Sequence, residues 1–339
     1  MGAALDRLRP HPHRGDVIAA GAVPLALAAV VIELRMTQWA LGPRFAVVAL
    51  ISLLLVTMGL LAPLESTAPR PYHSVLFVSG LLPLVIALVL LSELLGASRP
   101  PGSGGEFWTF ALEAGVAAVI ARRFNSAVCT LIAALAAAVS LEAFVNWVFQ
   151  PQGIGTFRAF LVVLALTFAV CALRVRDSRR RHAVAFVDAA GLVTLVLALT
   201  FLIGAVAAVA MHASGNFLSV DYGVGAAFGW KLYLLAAGFG LIAYAGVDRE
   251  AGPAYIGVAI LVAFAVLVGV NLAGRGSLVG WPLFLLLIGA AGLAIGLRPR
   301  QPLPPPPGET AVAPTVPLHP QPGTERLAEQ PGPLPTEDR

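Results

Sequence analysis

Charge is what this chain has least of. Only 12% of its 339 residues are Asp, Glu, Lys or Arg, about half the share in a soluble domain. Lysine is nearly absent: Lys231 is the only one, and the other 21 basic residues are arginine. This scarcity excludes a soluble globular protein. Without basic residues interleaved with aromatics, it also excludes a nucleic-acid-binding surface. Cysteine is scarce too. Cys129 and Cys171 both lie inside apolar runs, so they read as small core residues, and two lone thiols make neither a disulfide framework nor a metal site. HExxH, GxSxG and Walker A sequences are all missing. None of the six histidines sits deep in an apolar run, which argues against transmembrane haem. We expect no cofactor and no metal, and a membrane-embedded enzyme ranks behind the two readings given below.

What the chain does have is apolar length. Residues of the AVILMFWYC class make up 58% of it, in repeated runs of about 20 residues, enough to cross a bilayer core of about 30 Å as helix. The expected fold is all-α, a polytopic integral membrane protein of about ten transmembrane helices. Spans are predicted at 17–34, 45–62, 74–95, 107–121, 127–149, 157–175, 183–211, 224–247, 253–272 and 279–297. The fourth is the shortest, and with the fifth it could instead form a re-entrant hairpin. Residues 1–16 are a cytoplasmic N-terminal segment, 17–297 the helical domain, and 298–339 a disordered cytoplasmic tail holding 13 of the 26 prolines. The first span reads as an uncleaved signal anchor, since Glu33, Leu34, Arg35 and Met36 follow it instead of a small-x-small cleavage site.

Arginine distribution orients the chain. With the N-terminus inside, 14 of the arginines as far as Arg300 fall on the cytoplasmic side and five (Arg35, Arg44, Arg99, Arg158, Arg275) outside, as the positive-inside rule requires. Both termini are then cytoplasmic. Trp39, Trp108, Trp147, Trp230 and Trp281 fall at outer span ends, with Tyr72 and Tyr255 at the inner boundary. The Ala/Gly/Pro/Arg-rich, lysine-poor composition fits a GC-rich bacterial genome, and hence a bacterial cytoplasmic membrane. The cluster Arg174, Arg176, Arg179, Arg180 and Arg181 should attract anionic lipid as well as set topology. The proline-rich tail, with Pro317-Leu-His-Pro320, offers a segment for a protein partner.

Intramembrane polar residues are unevenly placed. Glu33, Glu93, Glu142, Asn146, His212, Lys231 and Asn271 lie in the outer parts of their spans, Asp188 in an inner part, and Glu113 between. Glu33, Glu93, His212 and Asn271 read as helix-end residues reaching for headgroups. Lys231, Glu142 and Glu113 sit roughly 10 Å deep at 1.5 Å per residue, where an unpaired charge is costly. Glu142 is the expected partner of Lys231, with Asn146 one turn away to orient its carboxylate; Glu113 is the second choice. These four are the binding or coupling candidates. The favoured function is a permease for a small solute or lipid-related molecule, with an outward-facing polar cavity based on Lys231, Glu142 and Glu113. The alternative is a non-catalytic membrane scaffold or partner-binding protein, with a structural Lys–Glu pair and the proline-rich tail as its contact. Gly225–Gly229 and Gly292–Gly296 have the small-xxx-small spacing of close helix contacts.

Overall fold

The computed structural model describes residues 15–36, 38–63, 71–99, 101–151, 153–213 and 226–272, except for the side chains of 205, 207–213 and 269–272. The tenth expected span and the proline-rich tail lie outside these residues. So do the terminal residues 1–14 and the side chains of His212 and Asn271.

The described residues form helices and short connections. In chain order the helices are α1 (Gly15–Arg35), α2 (Leu41–Leu61), α3 (Pro71–Leu94), α4 (Ser103–Phe124), α5 (Ala127–Phe149), α6 (Ile154–Val175), α7 (Arg180–Ala213), α8 (Phe228–Asp248) and α9 (Ala251–Leu272). All but α4 are long and apolar enough to cross a membrane. Large apolar side chains cover their outer faces: Leu50 and Leu53 on α2, and Val163, Leu166 and Leu173 on α6, are each more than half exposed. A contiguous apolar surface of that extent is unfavourable in water and at home among acyl chains. The chain is a multi-pass membrane protein.

α4 spans 22 residues, about 33 Å, and begins four residues before the expected Phe107. Gly104 and Gly105 argue against helix there. Tertiary contact overrides that propensity: the Trp147 ring lies so close to Gly104 that a Cβ would stand 3.3 Å from it. α4 and α5 therefore pair as two full-length antiparallel helices. Their turn is closed by Asn125, a left-handed C-cap (φ 51°), and by Ser126, whose hydroxyl accepts from the Cys129 N–H.

Two helices organise the packing. α3 packs on α1, α2 and α4, and α7 packs on α5, α6, α8 and α9. At one end of the bundle Glu33 of α1 takes both Arg44 of α2 and Arg99 of the α3–α4 loop, while Arg99 also meets Glu93 of α3 at 3.5 Å. Glu33 and Glu93, expected to reach for headgroups, thus meet arginines of neighbouring segments. At the opposite end the α5 and α7 starts are joined by His182, whose Nδ1 meets Thr130 Oγ1 and whose Nε2 meets Asn125 Oδ1 at 2.8 Å. Arg176 and Arg180 bracket Asp248 at the end of α8. Two of the five clustered arginines therefore have a protein carboxylate to meet. Tyr72, expected at the membrane boundary, is buried and stacked on His73, whereas Tyr255 is exposed.

Gly225, Gly292 and Gly296 lie outside the described residues, and a close helix crossing forms at another glycine pair. A Cβ on Gly229 would meet open space, whereas one on Gly257 would stand 2.7 Å from the backbone oxygen of Gly238. α8 and α9 approach through that pair because neither residue carries a side chain. Gly257→Val is expected to lower stability by about 1–3 kcal/mol through overpacking. The thermal unfolding midpoint in detergent checks it, with Gly240→Ala, where nothing lies within 4 Å, as the control, expected to hold or raise the midpoint because alanine favours helix over glycine. Equal midpoints for the two variants would contradict the crossing.

Candidate functional site

The three charged candidates are not brought together. α8 starts at Phe228, four residues later than expected, so Lys231 lies in its first turn, about 4.5 Å from the helix start and not 10 Å deep. It is half-buried, and its backbone N–H reaches Ala227 O at 3.3 Å. Among the described residues its ammonium has no ion-pair partner. The expected pair with Glu142 does not form because α8 packs on α9 and α7, while Glu142 belongs to α5, which packs on α4 and α7.

Glu113 is placed differently again. The longer α4 puts it ten residues from Ser103 and eleven from Phe124, at the helix centre. It shares one stripe of α4 with Ala117, Ile120 and Phe124, which pack with Phe77 and Leu81 of α3 and Cys129 of α5. It is 1% exposed, and neither carboxyl oxygen has a hydrogen-bond partner among the described residues. This is a buried core position and not the floor of a polar cavity.

Glu142 and Asn146 do come together, as their one-turn spacing predicts: the Asn146 amide donates to Glu142 Oε1. Glu142 also borders a cavity of about 390 Å³ between α5, α6 and α7, within the range of ligand pockets of roughly 300–1,000 Å³. The cavity follows from how the helices diverge. α5 and α6 are joined by a short link with left-handed residues at Gln150 (φ 43°) and Gly153 (φ 91°), yet each packs on α7 far more than on the other. The space left between them is floored by α7. Leu161, Leu164 and Val193, all buried, form its depth, while Val139, Val196 and Leu199, at 40–45% exposure, form its mouth. That mouth faces the apolar exterior of the bundle. Eleven of the twelve lining residues are apolar, and Glu142 is the only ionisable one. It lies seven residues from the end of α5, about 10 Å along the helix.

Arginine 158 carries a role that the sequence did not suggest. Counted above with the outer segments, it is in fact buried in α6. Its Nε donates to Thr200 Oγ1 at 3.1 Å, its Nη2 donates to the Thr200 carbonyl at 3.2 Å, and its guanidinium lies 3.7 Å from the centre of the Phe201 ring. Phe201 in turn packs on Trp230 of α8, with ring centres 5.6 Å apart. These contacts direct Arg158 onto α7. The signal available in the sequence was its place at the head of an apolar run, where a guanidinium needs donors satisfied by neighbouring backbone and rings. Asp188, set apart as an inner residue, stands against Gly252 at the start of α9, where a Cβ would be 3.0 Å from either carboxylate oxygen.

No protein-family model matches the chain, and no curated protein matches it.

Proposed function

We propose that this multi-pass membrane protein is a permease for a lipid-related amphiphile, which enters the crevice between α5 and α6 from the bilayer and sets its polar head at Glu142. The observation that carries this reading is the crevice itself: an apolar hollow between membrane helices, its mouth lined by exposed apolar side chains, with one carboxylate toward its end. A small polar solute would need several converging polar groups to replace its hydration, and the lining offers one. The lipid-related arm of the permease expectation is therefore preferred to the polar-solute arm. Within this reading the Glu142 end faces outward from a bacterial cytoplasmic membrane, as the arginine asymmetry requires. Arg174, Arg179 and Arg181, exposed at the opposite end, remain for anionic lipid. The scaffold alternative loses its structural Lys231–Glu142 pair, since α8 packs on α7 and α9 and not on α5; its other support, the proline-rich tail as a partner contact, lies outside the described residues.

The test is flux of a fluorescent single-chain amphiphile across proteoliposomes. Val196→Trp narrows the mouth at a half-exposed position without overfilling the core. It is expected to slow protein-dependent flux about tenfold, the equivalent of about 1.4 kcal/mol on the barrier. Flux that is the same in Val196→Trp as in the native chain, or no faster than in protein-free vesicles, would overturn the proposal.

A further inference from the structure

We infer that the amphiphile taken by the α5–α6–α7 crevice carries a cationic, amine-type head. The inference rests on the crevice being a binding site and names the class of ligand that it takes. Glu142 is the one ionisable group in the lining, so the charge of the head is read by a carboxylate alone. Asn146 donates to Glu142 Oε1, which turns the group into an oriented acceptor and leaves Oε2 for a ligand. No basic side chain of the described residues neutralises it. Arg158, on the neighbouring helix, is occupied by Thr200 and Phe201, and Lys231 belongs to α8, which packs on α7 and α9.

Beside that apolar wall the carboxylate attracts a cation and repels an anion. An ammonium or trimethylammonium head held about 10 Å along α5 from its end would leave its chain pointing down the Leu161–Leu164–Val193 wall. A sulfate, phosphate or carboxylate head in the same place would meet a like charge. A neutral head gains the apolar contacts alone.

The experiment uses the full chain in nanodiscs of zwitterionic lipid. Three photoreactive dodecyl probes, identical except for a trimethylammonium, hydroxyl or sulfate terminus, are titrated, and labelling of α5–α7 peptides is read by mass spectrometry. The trimethylammonium probe is expected to bind about tenfold tighter than the hydroxyl probe, and the sulfate probe more weakly than either. Glu142→Gln should bring the three level while keeping the binding of the hydroxyl probe, and Glu142→Asp should keep the order. Equal binding of the three by the native chain, or a cation preference that persists in Glu142→Gln, overturns the inference while leaving the crevice as a site. Labelling that is absent from the crevice, or insensitive to Val196→Trp, overturns the crevice reading and this inference with it.

Discussion

Alanine in place of Glu33 is expected to cost about 3–5 kcal/mol of stability, the range for removing one partner of a buried ion pair. Arg44 is the reason. Its side chain is 2% exposed, and its one carboxylate among the described residues is Glu33, itself 21% exposed. Without Glu33 the guanidinium stays in the α1–α2 packing with its charge uncompensated. Arg99, 49% exposed, can turn to water or to Glu93 and contributes little to the loss. Removing both members of the pair should cost much less, so Glu33→Leu combined with Arg44→Met is expected to recover most of the stability. Thermal midpoints of the two single variants, the double variant and the native chain in one detergent complete the cycle. A Glu33→Ala midpoint equal to that of the native chain would show that Arg44 does not depend on this carboxylate.

Leucine in place of Glu113 has the opposite sign: a gain of about 1–3 kcal/mol, the cost of leaving a buried polar group without a partner. The position is the centre of α4, enclosed by α3 and α5, and both carboxyl oxygens lack a partner among the described residues. Leucine has a comparable volume and would extend the Ala117–Ile120–Phe124 stripe by one turn. Glu113→Lys tests the same environment from the other side. An ammonium there would also lack an acceptor and cannot be closely packed, so the variant is expected not to accumulate as folded protein. The check is again the unfolding midpoint, together with the amount of monodisperse protein recovered from membranes. A lower midpoint for Glu113→Leu would mean that the carboxyl is held by a hydrogen bond and contributes to the fold. A raised midpoint combined with lost flux would assign the carboxyl a task in transport that outweighs its cost to folding.

The two results together separate kinds of intramembrane acid that look alike in a sequence. Glu33 and Glu113 both interrupt apolar runs. One holds three segments together at an end of the bundle, and the other lies at mid-helix among alanine, isoleucine and phenylalanine. Glu142 is a third kind, half-buried beside an apolar hollow and oriented by its neighbour one turn on.

Helix identity, approximate helix limits and residence in a membrane were legible because they depend on runs of neighbouring residues. Twenty apolar positions in sequence can satisfy their backbone in lipid only as a helix. The Glu142–Asn146 pair was legible for the same reason, since residues one turn apart face alike on any helix. Depth was less secure, because it is counted from helix ends, and ends respond to tertiary contact. Trp147 against Gly104 extends α4 and centres Glu113, while the start of α8 at Phe228 leaves Lys231 in a first turn.

Partnership across the bundle was decided by tertiary structure alone. Which helices α7 touches determines that Lys231 and Glu142 stay apart, that Arg158 rests on Phe201, and that α5 and α6 open over a floor instead of closing. Glu33 finds Arg44 and Arg99 because α1, α2 and the α3–α4 loop meet at one end. The physical reason is the same in each case. In lipid, hydrophobicity brings helices into the membrane but does not choose their neighbours. That choice falls to local shape, such as Gly257 admitting Gly238, and to a few polar contacts whose members are far apart in the chain.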